Sequence, residues 1–194
     1  AAAQQLQEEL GQRSAEIDQL RQLPQDLADK LAHFGFYRLV VPESLGGLGT
    51  SPETFCKICE TLAMANGSTA WCVFIGATSQ YLFGALPPSQ LQTMLTNPNV
   101  ITSGVFADSG TALAEERDGQ AGYRINGHWR WGSGCRNAEW ISGGVHEVDL
   151  DGERVQRNAA LTRVFFRPEE IDIQDNWHVS GLRGSGSSDY IAKD

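Results

Sequence analysis

The residues best suited to chemistry lie together in segment 127–140. Trp129, Trp131 and Trp140 flank a Gly-Ser-Gly turn at residues 132–134. Glycine lets the backbone approach a flat ligand closely, because no Cβ stands in the way. Ser133 adds a hydroxyl group, and the turn adds backbone N–H groups beside the aromatic rings. This combination suits a conjugated ring with polar edges, such as a flavin, and it predicts a redox enzyme.

The bulk composition is that of a globular protein with a substantial core. The chain has 194 residues, of which 41% are hydrophobic, and its mean hydropathy is −0.30. This length fits one large or two small domains. No apolar run approaches the roughly 20 residues of a membrane span, and residues 1–8 show neither the basic start nor the apolar stretch of a signal peptide. We therefore expect a cytoplasmic protein with no membrane partner.

The charge and the cysteine pattern argue against a nucleic-acid-binding protein and against a metal-binding or disulfide-containing one. The net charge is −9, both halves are acidic, and no basic stripe of the kind that binds nucleic acid is present. Cys56 and Cys59 form a Cys-x-x-Cys pattern that would suit zinc or a redox pair. The pattern lies in an apolar helical segment without a second ligand pair, which favours two cysteines packed as small hydrophobic residues. We predict neither a metal nor a disulfide.

The first part of the chain has helical periodicity. We predict a helix over 4–22 and a second one that starts at Pro24 and stops at Gly35. A short extended segment follows at 38–43. Ser51 is a candidate N-cap of a helix that runs to about residue 65. Further helices are predicted over 67–85, which is apolar nearly all round and should be buried, and from the prolines at 87–88.

The pattern changes to strands near residue 99. Apolar alternation predicts strands at 100–106, 123–131, 140–145 and 161–166. Asp118-Gly119 is a turn dipeptide, and residues 126–127 form either a second turn or a bulge. The predicted fold is α+β, with a helical domain at 1–98 and a mainly antiparallel β-barrel or sandwich domain at 99–194.

Five short motifs, in order along essentially the whole chain, resemble the acyl-CoA dehydrogenase-like flavoproteins. The resemblance is closer to their monooxygenase branch, the oxygenase components of two-component flavin hydroxylases. It rests on residues 41–43 with 46–47, and on 65–71, 122–127, 131–134 and 181–189. That family continues into a C-terminal four-helix bundle, which this chain lacks. The resemblance therefore implies a fragment of a homo-oligomer, a tetramer, whose missing half carries the catalytic base.

The resemblance implies a flavin-dependent monooxygenase. A partner reductase would deliver reduced FMN or FAD, and oxygen would form a C4a-hydroperoxide that oxygenates a small aromatic or heteroaromatic substrate. Two alternatives stay open: an acyl-CoA dehydrogenase, and a non-catalytic assembly module. Acyl-CoA dehydrogenases tend to have Thr-Glu-Pro where Ala107, Asp108 and Ser109 stand, which argues against the first alternative.

The resemblance also implies the roles of individual residues. Ser133 matches the position whose hydroxyl or backbone N–H reaches the N5 edge of the flavin, and Trp131 matches the tryptophan against its ring. Arg183 lies in a Gly-Ser-rich loop that suits either a phosphate or a structural turn. Several phenol-hydroxylating relatives carry a histidine near the position of Ser79, and its absence here argues against a phenol substrate. The predicted cofactor contacts are Trp131, Ser133, Gly134, Phe106, Ala107, Asp108 and Arg183, and the predicted substrate contacts are Trp71, Ser79 and Tyr81.

Overall fold

The computed structural model describes residues 2–155 and 162–193. Its first part is helical, and strands follow from residue 102, as the sequence predicts. None of the helices in the described residues is long and apolar enough to cross a membrane. The α-helices are α1 (Ala2–Gln12), α2 (Ser14–Leu20), α3 (Gln25–His33), α4 (Pro52–Ala63), α5 (Gly67–Tyr81) and α6 (Pro88–Met94).

Local signals place most of the helix ends. Ser51 caps α4, because its Oγ accepts the Thr54 N–H at 3.2 Å. Asn66 caps α5 in the same way, through the Thr69 N–H at 2.9 Å. Gly35 follows α3 with a φ of +79°, a backbone conformation that favours glycine. The predicted cap at Ser51 and the predicted stop at Gly35 are confirmed.

Three predictions about the helical part are wrong in detail. The single helix over 4–22 is two helices that join at Arg13, whose guanidinium binds both Glu16 and Asp26. The segment 38–43 is not an extended strand: Arg38 ends one 3₁₀ segment, Glu43 begins the next, and residues 39–42 turn between them. The α5 helix ends at Tyr81, before a 3₁₀ turn, and it is buried on one side only because Trp71 and Phe74 face outwards.

The strands form one sheet. They are β1 (Thr102–Arg117), β2 (Gln120–Gly132), β3 (Trp140–Val148), β4 (Thr162–Phe166), β5 (Asp172–Ile173) and β6 (Ser188–Ala192), in the spatial order β4-β3-β1-β2-β6-β5. The pairs are antiparallel except β1 with β3, which is parallel. The sheet is therefore mixed and mostly antiparallel, with β4 and β5 at its edges. Leu161, the first residue of the predicted fourth strand, lies outside the described residues.

Only one of the two predicted turn dipeptides forms a turn in this sheet. Asp118 and Gly119, with φ of +54° and +77°, join β1 to β2 as predicted. Asn126 and Gly127 lie in register within β2, opposite Thr111 and Gly110, and form no turn. Glycine is needed at 127 for another reason: a Cβ there would lie 2.5 Å from the Trp129 ring.

The core is centred on Trp129 and continues from the sheet into the helices. Trp129 is fully buried, donates its Nε1–H to the Gly144 carbonyl at 2.9 Å and stacks on Tyr190 at 5.4 Å between ring centroids. Buried leucines of the helical part, such as Leu10 and Leu27, belong to the same cluster. The division at residue 98/99 stays a prediction, because the two parts share this core. Within this core, α5 packs against β1, which is the neighbour of β2 in the sheet.

Candidate functional site

The turn that follows β2 has an unusual backbone. Trp131 has a φ of +64°, which is an outlier for a bulky residue. Its N–H donates to Asp189 Oδ1 at 3.2 Å, and its carbonyl accepts the Ser133 N–H at 2.9 Å. Gly134 has a φ of +73° and donates its N–H to the Ser185 carbonyl at 2.8 Å. The turn thus holds the Trp131 side chain outwards, with 68% of its surface exposed.

Ser133 is buried beneath this turn and links it to the helical part. Its Oγ accepts the Trp71 Nε1–H at 2.8 Å and lies 2.7 Å from Ser187 Oγ. Ser187 Oγ in turn lies 2.6 Å from Ser185 Oγ. The Ser133 carbonyl accepts the Ser103 hydroxyl at 2.7 Å, which fixes the turn to β1. The hydroxyl of Ser133 therefore lies in a buried polar cluster that ends at the partly exposed indole of Trp71.

A row of aromatic rings extends the site along the helices. Trp71 stacks on Phe74 with ring centroids 5.7 Å apart and planes 9° apart, and Phe74 stacks on Phe55 of α4 at 5.4 Å. Trp71 is 40% and Phe74 37% exposed. Such an apolar patch on a folded domain is suited to a ligand or to another part of a protein. The Trp71–Ser133 hydrogen bond joins a predicted substrate residue to a predicted cofactor residue.

The segment Phe106–Asp108 forms a bulge in β1. The register with β3 shifts on either side of Asp108, and a Cβ on Gly144 would lie 2.6 Å from the Ala107 carbonyl oxygen. Phe106 is half exposed, with the Arg163 guanidinium 4.1 Å from its ring centroid. Among the described residues, no hydrogen bond joins this bulge to residues 131–134.

The Asp108 carboxylate is already engaged within the protein. It accepts hydrogen bonds from His146 Nδ1 at 3.0 Å and from Arg154 at 2.7 Å. At the neighbouring Arg163, burial lowers the pKa of the guanidinium. The Asp108 carboxylate is therefore paired within the sheet, and the Phe106 ring is partly covered by Arg163.

The other predicted residues are dispersed. Ser79 is 1% exposed, and its Oγ has no hydrogen-bond partner among the described residues. Tyr81 is 59% exposed at the end of α5, about 15 Å along the helix from Trp71 at 1.5 Å per residue. Arg183 is exposed, and its Nε donates to the Asp18 carbonyl of α2 at 3.2 Å. None of these three side chains forms a hydrogen bond with Ser133.

Asp189 is a residue of the site to which the sequence assigned no role, although it ends the motif at 181–189. Burial raises the pKa of its carboxyl, but hydrogen bonds from His128 and from the Trp131 N–H outweigh it, and the pKa lies below its usual value. His128 Nε2 lies 2.8 Å from Asp189 Oδ2. The negative charge on Asp189 thus stabilises the left-handed turn. Its position in the motif at 181–189 was the sequence signal that could have identified Asp189.

Trp129 and two of the cysteines are buried in the core. Trp129 is fully buried, and Cys72 and Cys135 lie in the same cluster. All four cysteines are free, and Cys56 is exposed, so its predicted packing is wrong; Cys59 is half-buried. Burial raises the pKa of Cys72 and of Cys135 to about 12, which keeps both thiols protonated.

The residues around the turn fit a flat ring with a polar edge. Trp131 and Trp71 offer exposed ring faces, Gly132 and Gly134 leave the turn without side chains, and Ser133 supplies a hydroxyl. In residues 2–155 and 162–193, no three His, Cys, Asp or Glu side chains are grouped as metal ligands.

Comparisons with known proteins identify the relatives of this chain. The family model of the acyl-CoA dehydrogenase N-terminal domain matches residues 1–87. Indole-3-acetate monooxygenase of Acinetobacter baumannii is 32% identical over 93% of this chain and 44% of its own length. The oxygenase subunit HsaA of Mycobacterium tuberculosis, a flavin-dependent monooxygenase, is 32% identical over 100% of this chain and 47% of its own length.

Solved structures show the same fold. The HsaA crystal structure has a TM-score of 0.86 over 100% of this chain and 49% of its own. XiaF from Streptomyces, in complex with FADH2 and glycerol, has a TM-score of 0.86 at 26% identity, over 100% of this chain and 47% of its own. The chain thus spans about half the length of the relatives that it matches.

Proposed function

Because this chain belongs to the acyl-CoA dehydrogenase-like superfamily, we propose that it is part of the oxygenase component of a two-component flavin-dependent monooxygenase. Its relatives of about 30% identity are flavin-dependent monooxygenases. The protein would receive reduced FMN or FAD from a partner reductase and transfer one atom of O₂ to a small aromatic or heteroaromatic substrate. A homotetramer and a cytoplasmic location belong to the same proposal.

The observation that carries this proposal is the Trp71–Ser133 hydrogen bond beside the exposed ring of Trp131. It ties the serine of the turn to an indole of α5, and the exposed Trp131 ring lies two residues before the same serine. The backbone N–H groups of Ser133 and Gly134 are already donated to the carbonyls of Trp131 and Ser185. The hydroxyl, rather than a backbone N–H, is therefore the group that Ser133 offers to the flavin.

The residues of this chain would bind and orient the flavin, and the flavin supplies the reaction with O₂. Trp131 would lie against the ring, where an aromatic contact contributes about 0.5–1.5 kcal/mol beyond area burial. Gly134 lets the turn approach the ring without a Cβ. The stacked rings of Trp71 and Phe74 would exclude water, which matters because water favours release of hydrogen peroxide in place of oxygenation.

The other predicted cofactor and substrate contacts remain part of the proposal, and fewer contacts in the structure support them. The bulge of Phe106, Ala107 and Asp108 would cover the pyrimidine end of the ring through its backbone, because the Asp108 carboxylate is occupied. Arg183 would bind a phosphate through its Nη atoms, since its Nε is donated to Asp18. Tyr81 would line the substrate side farther along α5, and the buried Ser79 would lie beneath it.

The test uses the protein as its gene encodes it, loaded with reduced FMN or FAD and mixed with ¹⁸O₂ and a panel of aromatic acids that includes indole-3-acetate. One ¹⁸O atom in a product by mass spectrometry supports a monooxygenase. The family model favours a second candidate, an acyl-CoA dehydrogenase. That candidate predicts anaerobic bleaching of the bound oxidised flavin by a CoA thioester and no ¹⁸O in any product. Absence of flavin binding would leave the assembly module.

A further inference from the structure

A cavity outside the candidate site lies where the end of α2 meets β6. Its volume is about 240 Å³, and its lining includes Arg21, Arg136, Asp175, Trp177 and Ser188. These side chains come from the end of α2, the 3₁₀ segment 135–137, the loop before β6, and β6 itself. None of them is among the predicted flavin or substrate contacts.

The cavity is positively charged, although the protein is acidic. Arg21 and Arg136 contribute two positive charges and Asp175 one negative charge, so these lining residues have a net charge of +1. Asp175 Oδ1 lies 2.7 Å from Arg21 Nη1 and 3.5 Å from Arg136 Nη2. The hydrogen bond from Arg21, with the nearby charges of Arg136 and His178, lowers the pKa of the Asp175 carboxyl. This potential favours a negatively charged ligand.

The cavity also has donor hydrogens without acceptors. Ser188 is 1% exposed, and its Oγ accepts the Arg136 Nε–H at 3.4 Å. The hydroxyl hydrogen of Ser188 has no acceptor among the described residues, and an unpaired buried donor is costly. Within the same residues, Arg21 Nε and Arg136 Nη1 also form no hydrogen bond. Serine, with its hydrogen, and the two guanidinium groups can therefore all donate to one acceptor group.

The backbone at Arg21 agrees with a role for its side chain. Arg21 ends α2 with a φ of +55°, a left-handed conformation that glycine or asparagine usually occupies at the end of a helix. An arginine at this position keeps a long cationic side chain at the cavity at a cost in backbone strain. Strain of this kind is concentrated at functional sites.

We propose that this cavity binds a phosphate group through Arg21, Arg136 and Ser188. The three donors belong to three different elements, which suits the several oxygens of a tetrahedral anion better than a planar carboxylate. Leu20 and Trp177 add apolar surface to the lining, which suits the organic part of a phosphate ester. The proposal does not depend on the proposed monooxygenase function.

The first test is isothermal titration calorimetry of the protein as its gene encodes it, with inorganic phosphate at an ionic strength held constant by NaCl. We expect saturable binding by the wild type and a Kd about tenfold higher in Ser188→Ala, which lacks the unpaired hydrogen. The matched control is Ser142→Ala. Ser142 is also 1% exposed and its Oγ accepts an arginine N–H, from Arg163 at 3.3 Å, but it does not line the cavity. Absence of saturable binding, or an equal loss in both variants, overturns the proposal.

The second test changes the affinity in the opposite direction. Asp175 is 63% exposed and competes with a phosphate for both guanidinium groups. We therefore expect Asp175→Asn to lower the Kd for phosphate about threefold. Asp26→Asn is the control, because Asp26 is 70% exposed and pairs with Arg13 away from the cavity. A Kd that does not fall in Asp175→Asn would mean that the carboxylate only holds the arginines in place, and it would overturn the proposal.

The third test locates the bound phosphate and identifies its source. In protein labelled with 5-fluorotryptophan, the ¹⁹F resonance of Trp177, assigned by its loss in Trp177→Phe, should shift with the calorimetric Kd, whereas that of the buried Trp129 should not. A shift at Trp129 alone would overturn the location. Phosphate that displaces FMN would assign the cavity to the flavin phosphate, and binding without displacement would assign it to a second ligand; both support the site. Phosphate binding in a protein that binds no flavin would overturn only the proposed function.

Discussion

Replacing Trp131 by alanine and by glycine tests whether the turn stores backbone strain. Its φ of +64° lies in the left-handed region, which costs an L-residue about 1–2 kcal/mol. Alanine keeps this cost, whereas glycine removes it but loses about 0.5–1 kcal/mol in backbone entropy. Both variants lose the same indole contacts. We therefore expect W131G to be more stable than W131A by about 0.5–1 kcal/mol, the reverse of the usual order.

Thermal unfolding measures this difference. For a chain of this size, 1 kcal/mol corresponds to about 2–4 °C in Tm, so W131G should melt about 1–4 °C above W131A. Tyr123 is the matched control, because it is an aromatic residue of β2 with 56% exposure and lies in register opposite Ala114. There the alanine variant should be the more stable one. A W131A variant that melts at or above W131G would refute the strain at Trp131.

The same two variants report on the ligand. Both remove the indole proposed to lie against the flavin, and we expect the Kd for flavin to rise about tenfold in each, from an aromatic contact of about 0.5–1.5 kcal/mol plus lost area. Tyr123→Ala should leave the Kd unchanged. Wild-type affinity in W131G would remove Trp131 from the proposed site without affecting the conclusion about strain.

Three further predictions concern the site and its support. Ser133→Ala should fold normally but release more hydrogen peroxide per product formed, as peroxide and product assays on the flavin-loaded protein would show; an unchanged ratio would contradict the proposed contact. Asp189→Asn tests the carboxylate with the lowered pKa. The ionised carboxylate stabilises the fold at pH values above its unfolded-state pKa. This stabilisation is lost as the pH falls through its folded-state pKa. The stability advantage of the wild type over Asp189→Asn in urea unfolding should therefore shrink as the pH falls below the unfolded-state pKa of about 3.9, and a pH-independent difference would count against it. Gly143→Ala would place a Cβ 2.4 Å from the Trp129 ring and should cost about 1–3 kcal/mol, whereas Gly122→Ala, with nothing within 4 Å, should melt within about 2 °C of the wild type.

Local features of the fold were predictable where the signal lies within a few residues. The N-cap at Ser51, the stop at Gly35 and the turn at Asp118-Gly119 each depend on the backbone preference or side-chain oxygen of one residue, and the structure confirms them. The helix break at Arg13 was missed, because this guanidinium binds Asp26 of α3 as well as Glu16. Apolar periodicity contains no information about such an ion pair.

The candidate site likewise combines features that the sequence predicts with contacts that only the tertiary structure creates. The sequence by itself determined a glycine-rich turn with a serine between tryptophans, because residue types and their spacing along one short segment suffice for it. Only the tertiary structure decided that Trp71, 62 positions away, donates to Ser133, and that Asp189 holds Trp131 in a left-handed conformation. These contacts depend on how α5 and β6 pack around a shared core. A hydrogen bond between distant segments is set by that packing, which no local pattern encodes.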